Sequence, residues 1–249
     1  MKIAVCISNV PDTTTRIRFD ASKTSIDYTG VQWIINPWDE LALTRALELK
    51  EKSGSGITEV VAVTVGKPEV EPTLRKALAI GADRAVRIDT EPADALFTAK
   101  QLATFFTAEP FDLIFTGVES ADFNGSSVGA MLGSLIAATL LTGVTGVDME
   151  GGSLLINREL DGSQQTLKAS LPLVLVVQKG IAIVPRIPAM RGIMASRTKP
   201  LAVIAPTSSP KPTAVAGFDL PPQRSACKMI DPENAAQLIE LLHNEAKVI

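Results

Sequence analysis

FDLIFTGVESADFNGSSVGAMLGSL, residues 111–135, joins an apolar run to a helix-like one through glycine and small hydroxyl residues. DLIFTG (112–117) has the continuous apolar character of a strand buried on both faces. From Ser126 onward the spacing predicts a helix. The first backbone N–H groups of a helix have no partner inside it, and here they point back toward the strand end. Gly125 and Gly129 let a ligand approach the backbone, and the Ser126 and Ser127 hydroxyls add donors. With the helix dipole, these features suit a phosphate. A well-capped turn with no ligand explains the same residues, and locally the two readings stand side by side.

Working outward, KIAVCIS (2–8), TEVVAVTVG (58–66) and RAVRI (84–88) repeat the strand character. INPWDELALTRALELKEK (35–52) reads as a helix, with Asn36 as cap, Pro37 in the first position, Asp39 and Glu40 in the first turn, and Lys50 and Lys52 near the end. VEPTLRKALAIGA (70–82) places Leu74, Ala77 and Leu78 on one face and closes on Gly81. This alternation predicts an α/β fold: an open, doubly wound, mostly parallel sheet with right-handed crossovers. Ligands of such sheets bind at the carboxyl ends of the strands. Cys6 to Asn9, the Asn36-Pro37-Trp38 corner and Val65-Gly66 are then expected on the same edge as the opening stretch. Asp122 repels a bare phosphate but can accept from a ribose hydroxyl or an adenine amine.

After residue 140 the pattern changes. GGSLLINREL and QQTLKASL flank Asp161-Gly162, a β-hairpin signal, and PLVLVVQ (172–178) reads as a buried strand returning to the core. From Val184 onward prolines crowd the chain, which predicts an extended arm without regular structure. The arm ends in DPENAAQLIELLHNEAK, a helix capped at Asp231 with an Ala235/Leu238/Ile239/Leu242 stripe that must dock on this body or on another chain. The division expected is a nucleotide-binding domain over 1–183 and a partner-facing unit over 184–249.

Composition limits the function. Among 249 residues, 24 are Lys or Arg and 27 are Asp or Glu, for a net charge of −3, which argues against nucleic acid. Two distant cysteines, Cys6 and Cys227, make neither a disulfide framework nor a metal or redox pair, and a reducing cytoplasmic or matrix-type compartment is expected. The N-terminal run is too short for a signal peptide. AMLGSLIAATLL (130–141), the longest apolar helix candidate, falls short of the roughly 20 residues a bilayer requires. GxGxxG after a strand, GxxxxGK[ST] and GxSxG are all missing, and the single histidine, His243, sits near the C-terminus. No catalytic side chain and no metal site is predicted.

VPDTTTRIRFD, INPWDELALTRALELKE, VGKPEVEPTLRKALAIGADRAVRI and GVESADFNGSSVG follow one another in an order that resembles the β subunit of electron transfer flavoproteins. NRELDGSQQTLKASLPLVLVV (157–177) is similar to that family's diagnostic segment, and PRIPAMRGIMASRTKP (185–200) to its partner-recognition loop. Nearly the whole chain is covered. The resemblance implies a heterodimer with an electron transfer flavoprotein α subunit, FAD held mainly by that subunit, and a structural AMP in this one. By motif position the AMP pocket comprises Cys6, Asn36, Pro37, Trp38, Asp39, Val65 and the stretch from Gly117 to Val128, Asp122 included. The phosphate would rest on amides around Ser126, Ser127 and Val128.

The sequence departs from the family in places. Gly125-Ser126-Ser127-Val128-Gly129 replaces the common Asn-Gln-Thr-Gly ending, removing larger amide side chains while keeping the backbone donors. Electron-bifurcating members, which hold a second FAD instead of AMP, often share Val-Gly but follow it with proline, where this chain has Ala130. AMP is therefore the preferred reading and a second FAD the alternative. Thr13 replaces an aromatic residue near the flavin, whereas Trp38 keeps one. In the loop, Met190 takes the place of the apolar anchor for flavin-dependent dehydrogenases. Ile187, Ile193 and Met194 surround it, with Arg191, Arg197 and Lys199 as a cationic rim. A different class, a stand-alone nucleotide sensor of the universal stress type, shares the α/β layout but has no use for the arm.

Overall fold

In the computed structural model, which describes residues 1–249 except 151, 152 and 225, the apolar runs become neighbours in one nine-stranded sheet. The chain opens with β1 (Lys2–Cys6) and a two-stranded ribbon, β2 (Asn9–Pro11) with β3 (Trp33–Ile35), then enters α1 (Pro37–Glu51). β4 (Glu59–Val65), α2 (Glu71–Ile80), β5 (Arg84–Ile88), α3 (Ala95–Ala108), β6 (Leu113–Gly117) and α4 (Val128–Leu135) follow in alternation. The second half adds β7 (Thr139–Glu150), β8 (Ser153–Leu160), β9 (Ser163–Ala169), β10 (Leu173–Val177), α5 (Met190–Ser196), β11 (Leu201–Ile204) and α6 (Ala235–Leu241).

Strand order is β11-β5-β4-β1-β6-β10-β7-β8-β9, parallel throughout except for β8 against β7 and against β9. Side chains alternate between two covered faces. Ile3, Val5, Leu113, Phe115, Leu173 and Leu175 meet Leu43 and Leu47 of α1 and Leu74 and Leu78 of α2. Ala4, Val61, Val63, Ile114 and Val174 meet Leu102, Phe105 and Phe106 of α3 and Leu132 of α4. Burial on both sides is why these strands are apolar without a break. The chain winds outward from β1 through β4 to β5, then returns to β6 on the other side of β1. The reversal lies between β1 and β6, the place where open α/β sheets bind ligands.

Several local expectations are corrected. The helix anticipated across 130–141 stops at Leu135. Ala137 takes a left-handed turn (φ 53°), the Ala138 N–H bonds back to the Gly133 carbonyl, and Thr139 starts a strand of 12 residues. The β-branched Thr139, Thr142, Val144, Thr145 and Val147 suit that strand better than a helix. The hairpin forms as read, with Leu160 opposite Ser163 and Gly162 at φ 73°; the two glycines preceding Ser153 lie outside the described residues. The proline-rich stretch is more regular than expected, because Pro188 and Pro200 flank α5 and do not interrupt it. After Pro200, β11 adds a parallel edge strand beside β5. Farther on, Asn234 caps α6 in place of Asp231, its Oδ1 accepting from the Gln237 N–H at 3.3 Å. No described helix is long and apolar enough to cross a membrane.

Candidate functional site

The Asn36–Asp39 corner ties the two strands of the switch point together. Pro37, in the first helical position, starts α1 so that Asp39 lies in its first turn, buried. One carboxylate oxygen of Asp39 accepts from the Ser8 N–H just after β1 (2.8 Å), and the other from the Gly117 N–H at the end of β6 (3.0 Å). Asn36, fully buried, donates its Nδ2 to the Glu119 carbonyl (2.8 Å) and accepts from the Ala121 N–H at Oδ1 (3.1 Å). Asn36 therefore caps by position only, since its side chain serves the neighbouring loop and not α1. Gly117 is required here: a Cβ would overlap the Asp39 carboxylate and stand 2.7 Å from the Trp38 Cβ.

Burial dominates the electrostatics of this corner. It pushes the Asp39 carboxyl up to about 7, against the pull of the Ser8 and Gly117 amides. It also raises the Cys6 thiol well above its ordinary range, with the Asp39 charge adding to the effect. Cys6 and Val128 pack on the α3/α4 face of the sheet, in the cluster that holds Val65.

The loop between β6 and α4 forms a cradle. Asn124 (φ 50°) and Ser126 (φ 47°) are left-handed although neither is glycine, and Ser127 returns to φ −120°. Such alternation turns successive N–H groups to one side, the geometry of an anion nest, and costs strain of the kind that functional sites retain. Among the described residues, none accepts from the backbone N–H groups of Gly125 through Ala130. Asp122 to Ser126 are exposed, Ser127, Val128 and Ala130 are half-buried, and Gly129 is buried against the sheet. Behind them α4 lies close on the sheet, since a Cβ on Gly129 would overlap the Thr116 hydroxyl and come within 2.7 Å of Val176. Among the described residues the buried Thr116 Oγ1 has no hydrogen-bond partner. Unused amides and an orphaned hydroxyl at a switch point fit the phosphate end of an adenine nucleotide.

Two roles at the cradle escaped the sequence reading, that of Glu119 within the expected 117–128 stretch and that of Thr116. Glu119 accepts from Asn124 Nδ2 (3.1 Å) and from Ser126 Oγ (3.0 Å), so the Ser126 hydroxyl is engaged by the loop and is not free for a ligand. The sequence reading placed Glu119 in the 117–128 stretch but gave its carboxylate no role. Thr116 carried a signal, as a polar residue in an apolar strand. Away from the loop, burial and then the Asp122 charge raise the Tyr28 phenol. Its ring lies on Trp33 with centroids 5.1 Å apart.

The second predicted site lies elsewhere. Ile187 (84%), Met190 (74%) and Met194 (69%) are exposed, as is Arg191, while Ile193 is 42% exposed. Lys199 is not part of a cationic rim. Its Nζ donates to the Leu78 and Ala82 carbonyls at 3.0 and 2.6 Å, and burial lowers its pKa.

Comparison with known proteins places these features in a family. The Electron transfer flavoprotein domain family matches residues 24–209. Similar over their full lengths are the electron transfer flavoprotein subunit beta of Bacillus subtilis (strain 168), 35% identical with 100% of each chain covered, and that of Syntrophomonas wolfei, 33% identical with 100% of this chain and 98% of the relative covered. The human subunit beta is 31% identical over 91% of each chain. With the matched segment running from the β2–β3 excursion to the arm beyond β11, the chain belongs to the electron transfer flavoprotein β-subunit family.

Proposed function

We propose that this subunit binds AMP in the 117–128 cradle and pairs with an electron transfer flavoprotein α subunit that holds most of an FAD. Electrons pass from a flavin-dependent dehydrogenase, docked on 185–200, to that FAD and onward to a downstream acceptor. The observation that carries the nucleotide reading is the run of unpartnered amides from Gly125 to Ala130 at the β1/β6 switch point.

FAD supplies the one- and two-electron chemistry when bound, and AMP supplies none. This chain's own residues orient and hold. Asn36 and Asp39 fix the loop, the amides of Ser126, Ser127 and Val128 receive the phosphate, and Asp122 is placed to accept from the nucleoside. Cys6, Pro37, Trp38 and Val65 shape the floor. Residues 184–249 form the partner-facing unit. The arm is pinned to the body where the Gln101 amide both donates to and accepts from Thr207, and where Phe218 stacks on Phe19. Beyond it, α6 leaves Leu238 and Ile239 exposed, an apolar stripe suited to the α subunit. Free thiols at Cys6 and Cys227 suit the cytoplasm.

Denaturing the purified heterodimer and counting released nucleotides tests this reading. One FAD and one AMP are expected. Two FAD and no AMP identify the bifurcating form, and a colourless homodimer identifies a stand-alone sensor.

A further inference from the structure

The docking loop turns apolar side chains outward while its backbone is fastened inward. α5 has only 7 residues and no side-chain N-cap bond, too little to hold a helix by itself. Its shape comes from the body. On α2, Arg75 uses one guanidinium nitrogen, Nη1, to donate to the carbonyls of Ser196 and Lys199, both at 2.8 Å. Lys199 closes the same joint from the other direction through the Leu78 and Ala82 carbonyls. Gly192 lies so close to α2 that a Cβ would overlap the Ala79 carbonyl oxygen. At the loop's entry, Arg186 forms a two-pronged ion pair with Glu51 of α1 (2.7 and 2.6 Å), and its N–H donates to Thr44 Oγ1 (2.9 Å).

We infer that Arg75 is a positioning residue for dehydrogenase docking: by holding the last turn of α5 and the start of β11 on α2, it presents Met190 and Met194 in a preformed arrangement. This rests on the docking reading of 185–200. Arg75 joins two loop carbonyls at one nitrogen, and its charge strengthens both bonds. A surface ordered in advance avoids the entropy cost of ordering on contact, so loss of the clamp weakens encounter and leaves the electron-transfer step unchanged.

The test compares Arg75→Ala, Arg75→Lys, Gly192→Ala and Met190→Ala in the purified heterodimer. The probe is a flavin dehydrogenase from the same cell that reduces the wild-type heterodimer. Arg75→Ala is expected to speed amide hydrogen exchange over 189–199 without changing it in β1, β4 or β6. It is also expected to raise KM for the heterodimer roughly five- to tenfold at constant kcat. Arg75→Lys, which keeps a charged multi-donor nitrogen, is expected to restore most of both. Gly192→Ala, which wedges the same joint apart, is expected to reproduce the loss if Arg75→Ala does not fold. Unchanged exchange in both clamp variants overturns the inference. So does raised exchange with an unchanged KM while Met190→Ala still raises KM. If Met190→Ala also leaves KM unchanged, the docking reading itself has failed, and the inference falls with it.

Discussion

The proposed nucleotide cradle and the proposed docking loop offer opposite parts of the residue to a partner. From Gly125 to Ala130 the backbone is bare and the side chains are small. In α5 and its flanks, Arg75 of α2 occupies the Ser196 and Lys199 carbonyls and Lys199 reaches back to the Leu78 and Ala82 carbonyls, while Met190, Met194 and Ile187 stand in solvent. Recognition through amides is indifferent to most side-chain changes and sensitive to the position of the chain. Recognition through exposed methionines is the reverse: the side chain is the contact, and an adaptable thioether suits several partners. Each region therefore depends on a different support. The cradle needs the Asn36/Asp39 corner and the docking loop needs α2.

Gly117→Ala separates the two regions most sharply. Its Cβ displaces the Asp39 carboxylate and crowds Trp38, so crowding adds to the loss of a buried bond. A destabilisation of about 3–4 kcal/mol in urea unfolding is expected, with loss of the AMP that the proposed cradle would hold. The folded remainder should still be reduced by a dehydrogenase at the wild-type KM. A raised KM would show that the two regions are coupled through the sheet.

Asp39→Asn has a smaller effect with a distinctive pH signature. The folded carboxyl, pushed up to about 7 by burial, keeps its proton where the unfolded chain, at 3.8, has lost it. Stability from this group is complete below the unfolded value and declines as pH rises through the folded one. Asparagine imitates the protonated acid, so at pH 5 its cost is about 1 kcal/mol, from one amide losing its acceptor. The decline toward pH 8 should flatten. A slope equal to that of the wild type in urea midpoints at pH 5 and 8 would assign the titration to another group.

Much of this support was legible in the sequence, for reasons tied to particular residues. Pro37 after Asn36, and Asp39 and Glu40 behind them, announce a helix start, and the continuous apolar runs announce a parallel sheet. The sheet's ends then place Cys6, Val65 and Gly117 on one edge without knowledge of any contact. The use of Asn36 could not be read in this way. An asparagine before proline signals a cap, but here a loop more than eighty residues away outbids the helix for its side chain (|i−j| of 83 and 85). The left-handed Asn124 and Ser126 are hidden for a similar reason, because tertiary closure holds them in conformations their residue types seldom adopt. The proline-rich stretch misled because proline count is a local signal, whereas α5 and β11 are held by α2 and β5.

Thr116→Val probes the floor of the cradle at lower amplitude. Valine keeps the shape and removes the one buried side-chain polar atom without a partner among the described residues. The nucleotide-free protein is expected to gain about 1 kcal/mol in thermal unfolding, because an unsatisfied buried hydroxyl is costly. Docking kinetics should be untouched. A loss of stability would mean that the hydroxyl already has a partner, and would remove it from the cradle's unused donors.

The smallest effect concerns the thiols and tests burial at the corner without changing a residue. Cys227 is exposed in the arm, while Cys6 is partly covered at the end of β1, its thiol held protonated by burial and by the neighbouring Asp39 charge. Only the thiolate attacks a disulfide reagent. At pH 8, Ellman's reagent should therefore titrate one thiol quickly in the folded protein and the second much more slowly until denaturant is added. Stability should not change over the first phase. Two fast thiols would mean that the β1 end opens readily, and a corner that opens cannot hold the Gly117 loop at the distance a backbone-lined nucleotide site requires.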